Sequence, residues 1–254
     1  MRVCATADVT LDSAVAFVTG ARRVGADAAL ALAARGADVV LGYHQHRDEV
    51  DACASQIRAL GRRALVAQID VTNQASVDAA FAAIDRDLGG LDILVNMASV
   101  YERVPFDELT MAIAERHLAV DLGGTFRCAL AAAPRMRARG RGRIINITDW
   151  VAASGRPRYK GYLSYYVAKA GVKALTEALA LELAGDQILV NAIAAGPILA
   201  PEGTTDEESA AVIRATPLGR WGGAGEVSKA IVALVESDFM TGETIRVDGG
   251  KHLS

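Results

Sequence analysis

The chain has 254 residues, enough for one large α/β domain and too even in texture to suggest two. Apolar residues make up 52% but aromatics only 5%, so the core must be aliphatic and Ala-rich, which suits helices packed on a parallel sheet. A net charge of −3, from 27 basic and 30 acidic residues, argues against nucleic acid or a membrane surface as the main partner. Three scattered cysteines, Cys4, Cys53 and Cys128, have no metal-like spacing and are read as reduced thiols. The opening MRVCATADVTLDS lacks an apolar signal region, and no window approaches about 18 uncharged apolar residues. The expectation is a soluble, cytoplasmic protein.

After a polar leader over residues 1–13, Ala14 to Val18 is a short apolar run ending at Thr19-Gly20, and a helical pattern runs from Val24 to about Arg35. Strand, glycine turn and helix open a dinucleotide-binding unit. The turn reads TGARRVG, with Gly20 and Gly25 present and arginine where a middle glycine might stand. Such turns are common before helices, so the pattern alone is weak. A helix N-terminus flanked by Arg22 and Arg23 nevertheless offers donors and positive charge to a pyrophosphate.

Ala37 to Gly42 is the second strand, and its exit, Tyr43-His44-Gln45-His46-Arg47, bears on the choice of cofactor. An NAD site would place a carboxylate here for the ribose 2′-hydroxyl. None occurs before Asp48, and three groups able to carry positive charge stand there instead, which favours NADP. His44 and His46 lack a third ligand nearby, so no metal site is expected.

Alternation continues with a helix near Asp48 to Leu60, a strand near Ala64 to Ile69, a helix near Gln74 to Leu88 and a strand at Asp92 to Val95. The pattern implies βαβ crossovers, with ligands gathered at the carboxyl ends of the strands, where His44, Asp70 and Asn96 lie. A long helical region from Phe106 to Arg139, paused at Gly123-Gly124, ends in the basic run RMRARGRGR, read as a solvated helix end and turn. The fifth strand, Arg143 to Ile147, delivers Thr148 and Asp149 to the same edge. Ile188 to Ile193 is the sixth, leading into Ala195-Gly196-Pro197. Residues 200–223, rich in Gly, Pro and acidic side chains, suggest a mobile substrate flap with a short helix around Asp206 to Arg214. A helix near Gly225 to Glu236 and a strand near Thr244 to Val247 complete a single domain spanning 1–254, with a mainly parallel seven-stranded sheet between two helical layers.

Tyr165 and Lys169 stand four residues apart in an Ala-rich helical run, so both side chains emerge from one face. Bringing a phenol from about 10 to about 7 takes roughly 4 kcal/mol of preferential stabilisation of the phenolate. One ammonium about 4 Å away, at an effective dielectric near 20, supplies roughly that amount. The pair is expected to do acid/base work near neutrality.

Taken together, TGARRVG, Asp70-Val71, Asn96-Met97-Ala98-Ser99, Tyr165-x-x-x-Lys169, Gly196-Pro197 and the ending TGETIRVDGG resemble the short-chain dehydrogenase/reductase family over Ala14 to Gly250. The resemblance implies a doubly wound Rossmann domain and a homo-oligomer, tetramer or dimer. It implies NADP(H) contacts from Gly20, Arg22, Arg23, Val24 and Gly25 in the turn, from His44, Gln45 and His46, and from Asp70, Val71, Asn96 and Ala98. Tyr165, Lys169, Gly196, Pro197 and Ile198 complete that expected set.

Four departures stand out. Asp149 replaces the family's usual catalytic serine, Asn96-Met97 its Asn-Asn pair and Asp121 its proton-relay asparagine, and the glycine turn is one residue short. Asp149, Arg23 and Tyr101 together resemble the pteridine reductase branch, which implies catalysis by Asp149, Tyr165 and Lys169 and substrate contacts from Arg23, Ser99, Tyr101, Asp149 and Tyr165.

An ionised carboxylate accepts hydrogen bonds but donates none. Beside Tyr165 it also opposes phenolate formation, which disfavours alcohol oxidation and suits reduction of a substrate rich in N–H groups. The leading expectation is therefore NADPH-dependent reduction of a small C=N or C=O substrate, a dihydropterin first. A generic carbonyl or 3-oxoacyl reductase is the enzyme alternative, and a catalytically silent NADP-binding sensor is the non-enzymatic one. A capping role for Asp149 at a strand end is the purely structural alternative for that residue.

Overall fold

The structure, a computed structural model, describes residues 11–155 and 157–253. Most of the polar leader, with Cys4, lies outside the described residues; Leu11 to Ser13 leads directly into the first strand.

Seven strands form one sheet: β1 (Val15–Thr19), β2 (Asp38–Tyr43), β3 (Ala64–Gln68), β4 (Ile93–Asn96), β5 (Gly142–Asp149), β6 (Ile188–Ala195) and β7 (Thr244–Val247). All neighbours are parallel, in the order β3-β2-β1-β4-β5-β6-β7. Central strands such as VAFVT in β1 are buried at every position, because helices cover both faces of the sheet.

The helices are α1 (Val24–Ala34), α2 (Arg47–Ala59), α3 (Gln74–Leu88), α4 (Met111–His117), α5 (Gly124–Arg139), α6 (Trp150–Ala153), α7 (Leu163–Leu183), α8 (Asp206–Arg214) and α9 (Ala224–Glu236). Buried side chains of α1, α2 and α9 pack on one face of the sheet, around Val18, Leu41, Ile93 and Ile193. Those of α3, α5 and α7 pack on the other, around Phe17, Val40, Leu94 and Ile144. Among the described residues no helix is long and apolar enough to cross a membrane.

Two expectations need correction. The region from Phe106 to Arg139 is not one paused helix: a 3₁₀ turn at Phe106–Glu108, then α4, then a π-helical segment at Leu118–Gly123 precede α5. The fifth strand runs on to Asp149, and α6 follows it at once. In the basic run, Arg135 pairs with Asp85 at 2.7 Å, Arg137 with Asp186 at 2.6 Å and Arg139 with Asp92 at 3.1 Å, so its charges tie elements together. Residues 201–223 hold α8, which starts with Thr205 and Glu208 in a reciprocal capping box.

The sheet order reverses direction between β1 and β4, which opens a crevice at their carboxyl ends. Register aligns Thr19 of β1 with Asn96 of β4, and Asn96 with Asn146 of β5. Because β5 runs three residues past Asn146, Asp149 projects beyond that row.

Candidate active site

The row of polar side chains fixes α7 against the sheet. Asn96 Nδ2 donates to Asn146 Oδ1 at 2.9 Å, and Asn146 Nδ2 donates to Thr176 Oγ1 of α7 at 2.9 Å. Thr148 Oγ1 donates to the Lys169 carbonyl at 2.7 Å, and Lys169 Nζ donates to the Ile147 carbonyl at 3.0 Å. All of these residues are buried except Ile147, which is half-buried, so each lost bond would leave an orphaned polar group, which costs about 1–3 kcal/mol. This network sets the height at which Tyr165 and Lys169 meet the end of β5. Sequence reasoning placed Thr148 at this edge but missed Asn146 and Thr176; Thr176, two helical turns after Lys169 and so on the same face, was the available signal.

Asp149, Tyr165 and Lys169 come together as expected. The Tyr165 hydroxyl donates to Asp149 Oδ2 at 3.4 Å, a long bond, while Asp149 Oδ1 accepts from the Val151 amide at 2.7 Å and so caps α6. The capping role and the contact with Tyr165 are therefore carried by one side chain. Burial pushes the Asp149 carboxyl up to about 6, against the downward pull of the Val151 amide and Lys169.

The expected electrostatics of the Tyr165/Lys169 pair need revision. Lys169 Nζ lies 5.6 Å from the centre of the Tyr165 ring and makes a buried ion pair, 2.9 Å, with Asp121 Oδ1. Burial, then Asp149, then Asp121 hold the Tyr165 phenol well above its ordinary value. The ammonium is already spoken for, so the phenol is kept as a proton-bearing group.

Aromatic rings wall the space outside Tyr165. Tyr101 stacks on Tyr162 with centroids 4.8 Å apart and meets Tyr165 edge-on at 5.0 Å; Tyr159 meets Tyr162 edge-on at 5.1 Å. Tyr101, expected to lie against a substrate ring, thus has one face covered by Tyr162 and is 48% exposed. Tyr159 and Tyr162, with Arg158, were missed by the sequence reading, and line a narrow recess with Asp149 and Tyr165.

The glycine turn at the end of β1 is tight. Gly20 has φ +68°, and a Cβ on Gly25 would stand 2.3 Å from the Gly20 carbonyl oxygen. Arg23 closes the turn with φ 47° and ψ −107°, a conformation most side chains avoid. Both arginines of the turn have partners within the protein. Arg22 forms a two-pronged pair with Glu49 of α2, at 2.8 and 2.7 Å, and Arg23 donates to the Ala200 carbonyl at 2.7 Å. Arg23 therefore ties the turn to the segment after β6, and Val24 opens α1 behind it.

The remaining expected residues spread along the same edge. His44, Gln45 and His46 are exposed, and His46 is left-handed with φ 61°. Asp70 is turned inward, accepting from the amide and hydroxyl of Thr72, which holds its carboxyl below the usual range, and Val71 beside it is buried. Ala98 packs against Gly20, and Ser99 Oγ donates to Asp121. The carbonyls of Pro197 and Ile198, just past Gly196, accept from the amides of Gly222 and Gly223 at 2.9 Å. The chemistry of this edge suits a dinucleotide: the turn leads straight into the N-terminus of α1, which favours an anion, and Lys169 has one donor left after Asp121 and Ile147. Gly20 and Gly25 would flank the pyrophosphate, and Lys169 would hold the nicotinamide ribose.

Comparisons with known proteins agree with this geometry. The family model described as enoyl-(acyl carrier protein) reductase matches residues 19–252. Gluconate 5-dehydrogenase of Gluconobacter oxydans is 36% identical over 249 residues, covering 95% of each chain. The 3-oxoacyl-[acyl-carrier-protein] reductase of Synechocystis is 35% identical over 244 residues, covering 94% of this chain and 97% of that protein. Among solved structures, a gluconate 5-dehydrogenase from Burkholderia cenocepacia in complex with NADP and tartrate superposes with a TM-score of 0.87 at 32% identity, covering 96% of each chain. With a match that spans nearly the whole chain, the protein belongs to the short-chain dehydrogenase/reductase family, whose members use a nicotinamide cofactor.

Proposed function

We propose that the protein is an NADP(H)-dependent oxidoreductase that reduces the carbonyl of a small substrate, with Tyr165 as proton donor. The observation that carries this reading is the buried cluster at the end of β5, in which a proton-bearing phenol faces the recess between Asp149 and the aromatic wall. When bound, the reduced nicotinamide supplies the hydride. Tyr165 gives its proton to the oxygen that becomes a hydroxyl, Lys169 anchors the ribose, and the tyrosines exclude water from the reacting face. The generic carbonyl or 3-oxoacyl reading is placed ahead of the pterin reading because the relatives named above are a gluconate dehydrogenase and a 3-oxoacyl reductase.

The preference for NADP rests on the three exposed groups able to carry positive charge, His44, His46 and Arg47, and on the absence of a carboxylate at the end of β2. Glu49, bound to Arg22, is a counterweight, because it cancels one charge that a 2′-phosphate would use. A homo-oligomer is part of the proposal: Phe126 and Leu130 on α5, and Leu163 and Val167 on α7, are exposed apolar pairs one turn apart.

Reduction of a dihydropterin stays as a second reading on one observation, the acceptor Asp149 beside Tyr165 with Tyr101 at the rim. The experiment is NADPH and NADH consumption with ethyl acetoacetate, a 3-oxoacyl thioester, a simple ketone and 7,8-dihydropterin. Turnover of the keto substrates, faster with NADPH and raised in Asp149→Ser, is the expected result. Turnover of the dihydropterin alone selects the second reading, and nucleotide binding without turnover of any substrate overturns both.

A further inference from the structure

Asp121 stands in the π-helical segment between α4 and α5, where the family resemblance leads one to expect asparagine. Its side chain is fully buried and both carboxylate oxygens are engaged. Oδ1 meets Lys169 Nζ at 2.9 Å and accepts from Ser99 Oγ, while Oδ2 accepts from the Val100 amide at 3.1 Å. A buried charge without its partner is costly, so Asp121 and Lys169 hold each other in place. The consequence lies one step away, because the carboxylate sets its negative charge against the positive charge that the ammonium directs at the phenol.

Resting on the reductase reading above, we propose that Asp121 is a positioning residue that pairs off the Lys169 charge, keeps Tyr165 protonated, and moves alcohol oxidation to alkaline pH while leaving carbonyl reduction active near neutrality. In reduction the Tyr165 O–H bond breaks as the substrate O–H bond forms, and water returns the proton to the phenolate. In oxidation the phenolate must exist beforehand, and its population is what Asp121 suppresses. The overall equilibrium is untouched; the fraction of enzyme in the form able to start each direction changes.

The charged and titratable groups around Tyr165 are Asp149 from β5, Asp121 from the π segment, Lys169 from α7 itself and Tyr162 just before that helix. Tyr101 from the loop after β4 and Tyr159 from the loop after α6 complete the ring of phenols, with Arg158 beside them in the recess. His117 of α4 reaches only as far as Ser164, the residue before Tyr165, at 2.6 Å, with Glu102 3.7 Å beyond it. Of these, Asp121 is the group that pairs with the cation and does not itself line the recess.

The test compares pH profiles of ethyl 3-hydroxybutyrate oxidation and ethyl acetoacetate reduction for the wild type, Asp121→Asn and Asp121→Glu. Asp121→Asn is expected to lower the alkaline limb of oxidation by about one to two pH units, while the limb belonging to Asp149, near 6, stays in place. Asp121→Glu, which keeps the charge, is expected to leave the alkaline limb where it is. A purely structural role for Asp121 would lower both directions together and move neither limb, and that result overturns the proposal.

Ultraviolet difference titration of the phenols, wild type minus Tyr165→Phe, needs no substrate. It separates failure of this proposal from failure of the reductase reading, which would show as no turnover of either ester. Tyr165 is expected to titrate above about 10 in the wild type and lower in Asp121→Asn. A wild-type Tyr165 that titrates below that value contradicts the proposal even if the variant does not fold.

Discussion

Asp149 joins two tasks in one carboxylate, capping α6 through one oxygen and receiving the Tyr165 hydroxyl through the other. Its folded-state value of about 6 lies above the ordinary carboxylate range, so the folded protein binds this proton more tightly than the unfolded chain does. The stability this group confers is therefore present below about pH 4 and lost as pH rises through about 6. Asp149→Asn keeps a cap acceptor and removes the charge. Thermal melting at pH 8 should show the variant more stable by about 1–3 kcal/mol, with the gap closing as the pH falls below about 5. A variant less stable at pH 8 would mean that the ionised form is well solvated or firmly paired. The Tyr165/Lys169 spacing and the acid at position 149 were plain in the sequence because each lies in a local pattern. The Asp121–Lys169 pair was not, because 48 positions separate the two and only the packing of the π segment on α7 brings them together.

At the level of elements, the glycine turn shows how little room a tight turn leaves for side chains. Gly25 passes so close to Gly20 that no side chain fits, and Arg23 is forced to positive φ, a strain of order 1–3 kcal/mol. Gly25→Ala should lower stability by about 3 kcal/mol or more and weaken NADPH binding, read by calorimetric melting and fluorescence titration. A variant with unchanged melting and binding would show that the turn can open. The alternation of strands and helices was legible because parallel strands covered on both faces are short unbroken apolar runs. The π segment was not, since the step from one hydrogen-bond register to another leaves no mark in composition, and the Gly123-Gly124 pause fell at its far end.

For the whole molecule, the sheet order brings one polar edge into being from strand ends up to 130 residues apart, from Thr19 to Asp149. That edge was predictable once the parallel sheet was; what each side chain does there depended on packing that no single segment encodes. The exposed apolar pairs on α5 and α7 lead to the expectation that light scattering will find a dimer or tetramer. Phe126→Glu with Leu130→Glu should then reduce the assembly to a smaller species, whereas a monomeric wild type would leave these faces without a partner copy. The account as a whole rests on Tyr165 as the proton donor of a nicotinamide-dependent reduction. Its most direct test is the rate of NADPH-dependent reduction of one keto substrate by the wild type and by Tyr165→Phe, with NADPH affinity measured alongside. A loss of about 10²–10⁴-fold in rate with affinity held within about threefold is predicted, and a variant that keeps its rate within a few-fold contradicts the account.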